Sequence, residues 1–414
     1  MDMDILHERA AGIDIAKRGA TVCVRKPGGS EQGFTSTVTS WEATTDRILE
    51  LREFLVGQKV TVVMMEATSD YWKPFYYLLE EDLPVMLVNA KAARNIPRRK
   101  TDVADAVWLA RLAAHGLLRA SFVPPEPIRE LRDLTRSRAI AVRDRTREIQ
   151  RLEKFLESSG IKLSSVASNL TGASGRAMLD ALITGERDPE VLACMAKGKL
   201  RNKIPELTDA LKGRFKDHHA FMVGLHLEQI DAHTRMIDAL TERIEASMRP
   251  FRCAREALMT IPGIAELTAD VIIAETGADM SVFPDAAHLA SWTGICPGNN
   301  ESAGKVKSTK IPPGNKYLKA ALGTAAMVAV RDQNSYLGAR YRRIKTRRGA
   351  QRALVAIEHS ILTAIWHMLA NGECYKEPDE DRYVRMNQVK TTNRAVKQLR
   401  QLGYDVTLAP TSAA

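Results

Sequence analysis

An α/β domain followed by a long, mainly helical region is the fold class this sequence predicts. Three observations carry the expectation. Short Val-, Ile- and Met-rich runs alternate with helical patterns over the first 115 or so residues, the mark of a layered α/β sheet. Two long charged segments, near 126–158 and 217–249, keep apolar residues at heptad-like spacing. Beyond residue 253, helical patterns are punctuated by Pro262-Gly263, Pro297-Gly298 and Pro312-Pro313-Gly314.

Taken in order, residues 11–24 (AGIDIAKRGATVCV) predict strand, turn and strand. A helix is expected over 43–56, a short apolar strand over 60–65, a helix over 72–79 and a buried strand over 84–88. A further helix, about 102 to 115, follows a basic connector. The proline-rich stretch 121–127 predicts a linker. In the first long helix Val142, Ile149, Leu152 and Leu156 form a seam. Ile230, Ile237, Leu240 and Ile244 do so in the second. Two such helices suit either an antiparallel coiled coil or a plain helical bundle. Residues 158–175 are rich in Ser and Gly and are expected to be loop, as is the charged stretch 373–386, with a last short helix over 388–402. The resulting division is 1–120, 121–250, 251–372 and a tail, 373–414.

The chain has 414 residues, enough for two or three domains at about 150 each. Hydrophobic residues make up 45% and charged residues 27%, which excludes a wholly disordered chain or a collagen-like fibre. Five cysteines, at 23, 194, 253, 296 and 374, form no CxxC pair, which argues against a disulfide framework or a cysteine zinc site and for a reducing cytoplasm. No membrane span is expected, because the longest apolar run, 320–330, is short of the ~20 residues required. The acidic start, Met1-Asp2-Met3-Asp4, shows no secretory signal core.

Four acids stand out in the first domain. Asp14 is centred in the strand Gly12-Ile13-Asp14-Ile15, on the face opposite the two isoleucines. Glu66 ends an apolar run, where ligand sites of α/β sheets gather. Asp102 and Asp105 are three apart and share a helix face. Two like charges ~4 Å apart repel by about 4 kcal/mol at an effective dielectric of 20, so convergence requires a proton or a cation. Oxygen-only donors suit Mg²⁺. Separately, each acid has an ordinary reading: Asp102 as a helix N-cap, Asp105 near the helix dipole, Glu66 at a strand end.

Basic residues exceed acidic ones by 60 to 50, and the excess is clustered. Lys91, Arg94, Arg98, Arg99 and Lys100 lie in an acid-free stretch. Lys305, Lys307, Lys310, Lys316 and Lys319 form a second cluster. Arg340, Arg342, Arg343, Lys345, Arg347, Arg348 and Arg352 form a third. Acid-free clusters of this kind favour phosphate neutralisation over a merely solvated face. The arginines of 128–154 are interleaved with acids and read equally well as a salt-bridged surface. His219, His226 and His233 recur every seven residues, ~10.5 Å apart on a helix, too far to share a metal. By composition alone Ser302, between Glu301 and Ala303-Gly304, is an ordinary loop serine near Lys305 and Lys307.

Gly12-Ile13-Asp14-Ile15-Ala16-Lys17, Met65-Glu66-Ala67-Thr68 and Lys100-Thr101-Asp102-Val103-Ala104-Asp105-Ala106 resemble, in order and spacing, the three blocks of the DEDD domain of insertion-sequence-110-type (110/1111 group) transposases. The stretch 292–305, with Gly314-Asn315-Lys316-Tyr317-Leu318-Lys319 after it, is similar to the C-terminal domain of the same family. Where that family commonly has a Ser-Ser-Gly-Gly-like block, this chain has Glu301-Ser302-Ala303-Gly304; Ser308 is a second, weaker match. The resemblance implies a RuvC-like, ribonuclease-H-like fold with Asp14, Glu66, Asp102 and Asp105 as a Mg²⁺ tetrad. It implies Ser302 as nucleophile in a DNA strand exchange guided by an element-encoded bridge RNA. A homodimer or homotetramer is expected, since the reaction holds donor and target duplexes together. A metal-dependent, structure-selective nuclease and a non-catalytic nucleic-acid scaffold are the competing expectations.

Overall fold

The computed structural model describes residues 5–28, 33–67, 69–89, 102–298, 300–302, 305–332, 335–377, 392–393 and 395–408; of 102–104, 300–302 and 306 it describes the backbone alone. The chain divides into two units at Val123 and Pro124.

Unit 1 is a mixed sheet with helices. Its strands are β1 (Ala10–Ile15), β2 (Gly19–Pro27), β3 (Phe34–Glu42), β4 (Val62–Glu66) and β5 (Val85–Val88), and its helices α1 (Thr45–Gly57), α2 (Trp72–Leu79) and α3 (Asp102–Ala114). The spatial order is β3-β2-β1-β4-β5. The first three strands form an antiparallel meander, while β1, β4 and β5 run parallel. Parallel strands joined through helices need both faces covered, and both are. Ile13, Ile15, Val63 and Met65 pack with Leu51 and Leu55 of α1 and Phe75 and Leu79 of α2. Ala10, Val62 and Met64 pack with Leu109, Leu112 and Ala113 of α3. Strand β3 was not expected. It lies at the sheet edge with a mostly exposed Ser/Thr pattern, so it lacks the apolar alternation that announces a half-buried strand.

Unit 2 is mainly helical. Helices α4 (Glu126–Ser158) and α9 (Asp217–Ser247) lie antiparallel against each other. The Arg138 Nε donates to Thr241 Oγ1 at 2.7 Å and the Arg145 Nη1 to Thr234 Oγ1 at 3.4 Å, a step of seven residues on both helices. Further along, His226 Nδ1 is 2.6 Å from Glu148 Oε1, so this member of the histidine series sits on the helix seam. Between the long helices lie α5 (Leu163–Val166), α6 (Ala173–Ile183), α7 (Pro189–Cys194) and α8 (Ile204–Ala210). Part of the stretch expected to be loop is therefore helical. These helices form their own core, in which Met178, Leu179, Leu192 and Leu207 pack against Leu152, Leu156, Val223 and Leu227.

The remainder holds α10 (Arg252–Met259), α11 (Glu266–Thr276), α12 (Ala286–Thr293), the hairpin β6 (Asn300–Ser302) and β7 (Lys305–Ser308), α13 (Lys316–Ala329), α14 (Tyr336–Arg348) and α15 (Ala350–Asn371). The hairpin was expected only as polar loop. Helix α15 corrects another expectation: by length and composition it is apolar enough to cross a membrane. Its run escaped the sequence reading because Glu358 and His359 interrupt it. Ile357, Ile361, Leu362 and Ile365 are buried inside the protein, as expected of a core helix. Residues 392–393 and 395–401 are helical, in line with the expected last helix.

Candidate functional site

Residue alternation fixes which way the acids of unit 1 face. Even-numbered residues of β1 and β4 face α3, because Ala10, Val62 and Met64 pack on it. Asp14 and Glu66 belong to that set. Ile13 pairs with Met65 in the parallel register, so Asp14 and Glu66 follow on neighbouring strands, ~4.8 Å apart. Glu66 ends β4 and is buried; Asp14 is half-buried.

Helix α3 runs antiparallel to β1. The Leu6 and His7 amides donate to Ala114 O at 2.9 and 3.0 Å, near the helix end. Five residues on, a Cβ at Gly12 would lie 2.3 Å from both Ala106 O and Ala110 N. Gly12 thus lets the helix backbone lie directly on the strand. Two further strand residues advance ~6.6 Å, which is about four helical residues at 1.5 Å each. That step puts Asp14 level with the first turn of α3, which carries Asp102 and Asp105. Asp105 is half-buried; the Asp102 side chain lies outside what is described.

The donors are all carboxylate oxygens, the chemistry of a hard divalent cation; Asp14 and Glu66 share one sheet face toward the carboxyl ends of parallel strands, and α3 lies over that face. In donor type they fit a hard divalent cation. Among the described residues no group of three or more His, Cys, Asp or Glu side chains is assembled into a metal cluster.

In unit 2, Ser302 lies on β6 and pairs with Lys305 of β7; its side chain lies outside what is described. Lys305 and Lys307 are exposed on β7 and Lys310 just after it, and Lys316 stands 5.0 Å over the Tyr317 ring. The hairpin rests on a close backbone crossing. Gly294 takes φ +80 at the end of α12, and a Cβ on Gly314 would meet Thr293 O at 2.2 Å. Arg342, Arg343, Arg347 and Arg348 are exposed on α14. Arg94, Arg98, Arg99 and Lys100 lie outside the described residues.

A buried polar network behind the hairpin escaped the sequence reading. Glu275 is fully buried on α11. Arg136 of α4 grips it with two hydrogen bonds, Nε to Oε1 at 2.7 Å and Nη2 to Oε2 at 2.8 Å. Arg132 adds an ion pair at 3.4 Å and donates to the carbonyls of Ala274 and Glu275. Asn315 donates its Nδ2 to Glu275 Oε2 at 2.6 Å and caps α13 through its Oδ1. A glutamate inside Ala269-Asp270-Val271-Ile272-Ile273-Ala274-Glu275 carries no sequence signal of burial. For Asn315 the sequence reading left a signal unused: Pro-Pro-Gly-Asn ahead of an apolar run marks a helix start.

The comparisons specify the class of protein. Residues 11–160 match the DEDD transposase family of the IS110 type, and residues 255–342 match the transposase IS116/IS110/IS902 family. The uncharacterized 42 kDa protein of insertion element IS900 from Mycobacterium paratuberculosis is 29% identical over 299 residues, 67% of this chain and 73% of the relative. The uncharacterized 43.6 kDa protein of insertion element IS110 from Streptomyces coelicolor is 31% identical over 123 residues, 29% of each chain. The chain is a transposase of an insertion element. It belongs to the IS110 family.

Proposed function

We propose that this transposase cleaves and exchanges DNA strands through a phosphoserine at Ser302, with Asp14, Glu66, Asp102 and Asp105 of a RuvC-like domain holding Mg²⁺. The observation that carries the reading is the shared face of Asp14 and Glu66 beside the first turn of α3. The strand order β3-β2-β1-β4-β5 supports a ribonuclease-H-like sheet.

When bound, Mg²⁺ supplies Lewis-acid polarisation of the scissile phosphodiester. The carboxylates hold and orient the dication, and its charge offsets their mutual repulsion. Gly12 keeps α3 close enough for its acids to share the site. The Ser302 Oγ forms a bond to phosphorus as one phosphorus–oxygen bond of the strand breaks. The serine proton leaves, and the departing sugar oxygen takes up a proton to become a hydroxyl. That hydroxyl, or one from a second strand, attacks the phosphoserine and restores the serine. Lys305 and Lys307 neutralise the crowded phosphate.

The acid-free basic clusters support nucleic acid as a partner; donor and target DNA, and a structured bridge RNA as guide, are what the family resemblance adds to that. Two duplexes held at once call for a dimer or tetramer, with α4 and α9 as assembly elements, working on the nucleoid in the bacterial cytoplasm. A structure-selective nuclease is favoured only by the placement of the acids within unit 1, which needs no serine for hydrolysis.

Strand exchange assayed with donor DNA, target DNA and RNA transcribed from the element's flanks tests the proposal. Ser302→Ala and Asp14→Asn should each abolish exchange while RNA binding survives. Exchange retained in Ser302→Ala would remove the serine from the mechanism.

A further inference from the structure

Away from the acids and the serine hairpin, unit 2 holds a cavity of about 490 Å³ between the start of α14, the middle of α15 and the chain that follows α15. This is within the ~300–1,000 Å³ of small-molecule sites. Tyr336, Arg340, His359, His367 and Tyr375 supply its chemistry, with Glu373 also in the lining, paired with Lys376 at 3.1 Å.

Arg340 is half-buried there, and none of the described carboxylates lies within ion-pairing distance of it. Its Nη1 donates to the Tyr336 hydroxyl at 2.9 Å. Its Nε is buried and has no hydrogen-bond partner among the described residues. A buried cationic donor without a partner is costly, and such a group calls for a ligand. His359, beside it, has its imidazole held below the usual histidine value by burial and by the Arg340 charge, so it is neutral and offers one donor and one acceptor. The Tyr375 phenol is pushed up to about 12 by burial and by Glu377 and Tyr336, so it stays a neutral donor with an aromatic face. The pocket therefore offers an anion-seeking guanidinium, a neutral imidazole and two tyrosine rings. Arg340 also lies on the same helix as the exposed Arg342, Arg343, Arg347 and Arg348.

We propose that this pocket binds a single unstacked nucleotide, its phosphate on Arg340 and its base against Tyr336 and Tyr375, taken from a nucleic-acid strand lying along α14. The inference rests on the transposase reading only for the class of ligand. Aromatic faces and a guanidinium are the means by which unpaired bases are held without base-pairing partners. A stacked duplex keeps its bases inside, so the pocket discriminates for unpaired nucleotides.

The test uses the full-length protein with single-stranded DNA and RNA oligonucleotides carrying 2-aminopurine, and with a duplex of the same sequence. Binding of a single strand should raise 2-aminopurine fluorescence as the base leaves its neighbours; whether DNA or RNA gives the rise identifies the source. Arg340→Gln should weaken single-strand affinity about tenfold, the scale of one charge-assisted contact, and remove the rise. Duplex affinity should not change. Arg347→Gln with Arg348→Gln should weaken single strand and duplex alike. Tyr375→Ala, outside any helix, repeats the test should Arg340→Gln fail to fold. Wild-type fluorescence and affinity retained in both pocket variants would overturn the pocket, while no binding of any nucleic acid by the unmodified protein would overturn the nucleic-acid partners proposed above.

Discussion

The Asn315 side chain does two jobs at once: its Oδ1 accepts the Tyr317 and Leu318 amides that begin α13, and its Nδ2 donates to the buried Glu275 at 2.6 Å. The same carboxylate is gripped by Arg136 from α4. One glutamate thus ties the long helix to the segment that follows the serine hairpin.

Asparagine and aspartate cap helices about equally well, so exchanging them at a free cap changes little. Here Asn315→Asp keeps the cap but sets a carboxylate against Glu275. It should destabilise the protein more than Asn315→Ala, which loses the cap at about 0.5–2 kcal/mol. Urea denaturation of the two variants checks the order; equal stability of Asn315→Asp and the unmodified protein would show that the Glu275 contact carries nothing.

Glu275→Leu leaves Arg132 and Arg136 buried at least in part without their anion. Breaking one partner of such a pair costs about 3–5 kcal/mol. The expected result is a large fall in the denaturation midpoint, partly recovered when Arg136→Met is added, because the uncompensated charge is then removed.

Burial alone would raise the Glu148 carboxyl, but the hydrogen bonds from His226 and Arg151 outweigh it and hold the group below the ordinary glutamate value. A carboxyl lowered in the folded state contributes stability above its unfolded value, and that stability is lost as pH falls through the lowered one. Acidification below about 4.5, the unfolded value, should therefore loosen the contact between α4 and α9. Circular dichroism melts across this range should show a steeper loss for the unmodified protein than for Glu148→Gln.

Gly12→Ala would drive a methyl into the Ala106 carbonyl and the Ala110 amide, both 2.3 Å from the new carbon. Both are backbone atoms and cannot swing aside. The helix must lift from the sheet, so the variant should lose most metal-induced thermal stabilisation along with stability. Unchanged Mg²⁺-dependent melting would show that the acids do not depend on this contact.

Much of unit 1 was legible because buried parallel strands announce themselves as short apolar runs, as at Val62-Val63-Met64-Met65. An exposed Ser/Thr edge such as β3 carries no such mark. The acids of the candidate site were legible for the converse reason: Asp14 violates an apolar strand pattern. Glu275 was not, since its burial depends on two arginines about 140 positions away in the chain, which no local pattern records. For the same reason Arg132 and Arg136 looked like ordinary members of a salt-bridged surface.

The most direct measurement of the central claim is a denaturing gel for a covalent protein–DNA adduct, with the attached residue mapped by mass spectrometry. Protein, flank-derived RNA, Mg²⁺ and labelled DNA should yield an adduct on the peptide containing Ser302, absent in Ser302→Ala and in Asp14→Asn. DNA cleaved without any adduct, and still cleaved by Ser302→Ala, would contradict the phosphoserine mechanism and leave the acids of unit 1 as a hydrolytic nuclease site.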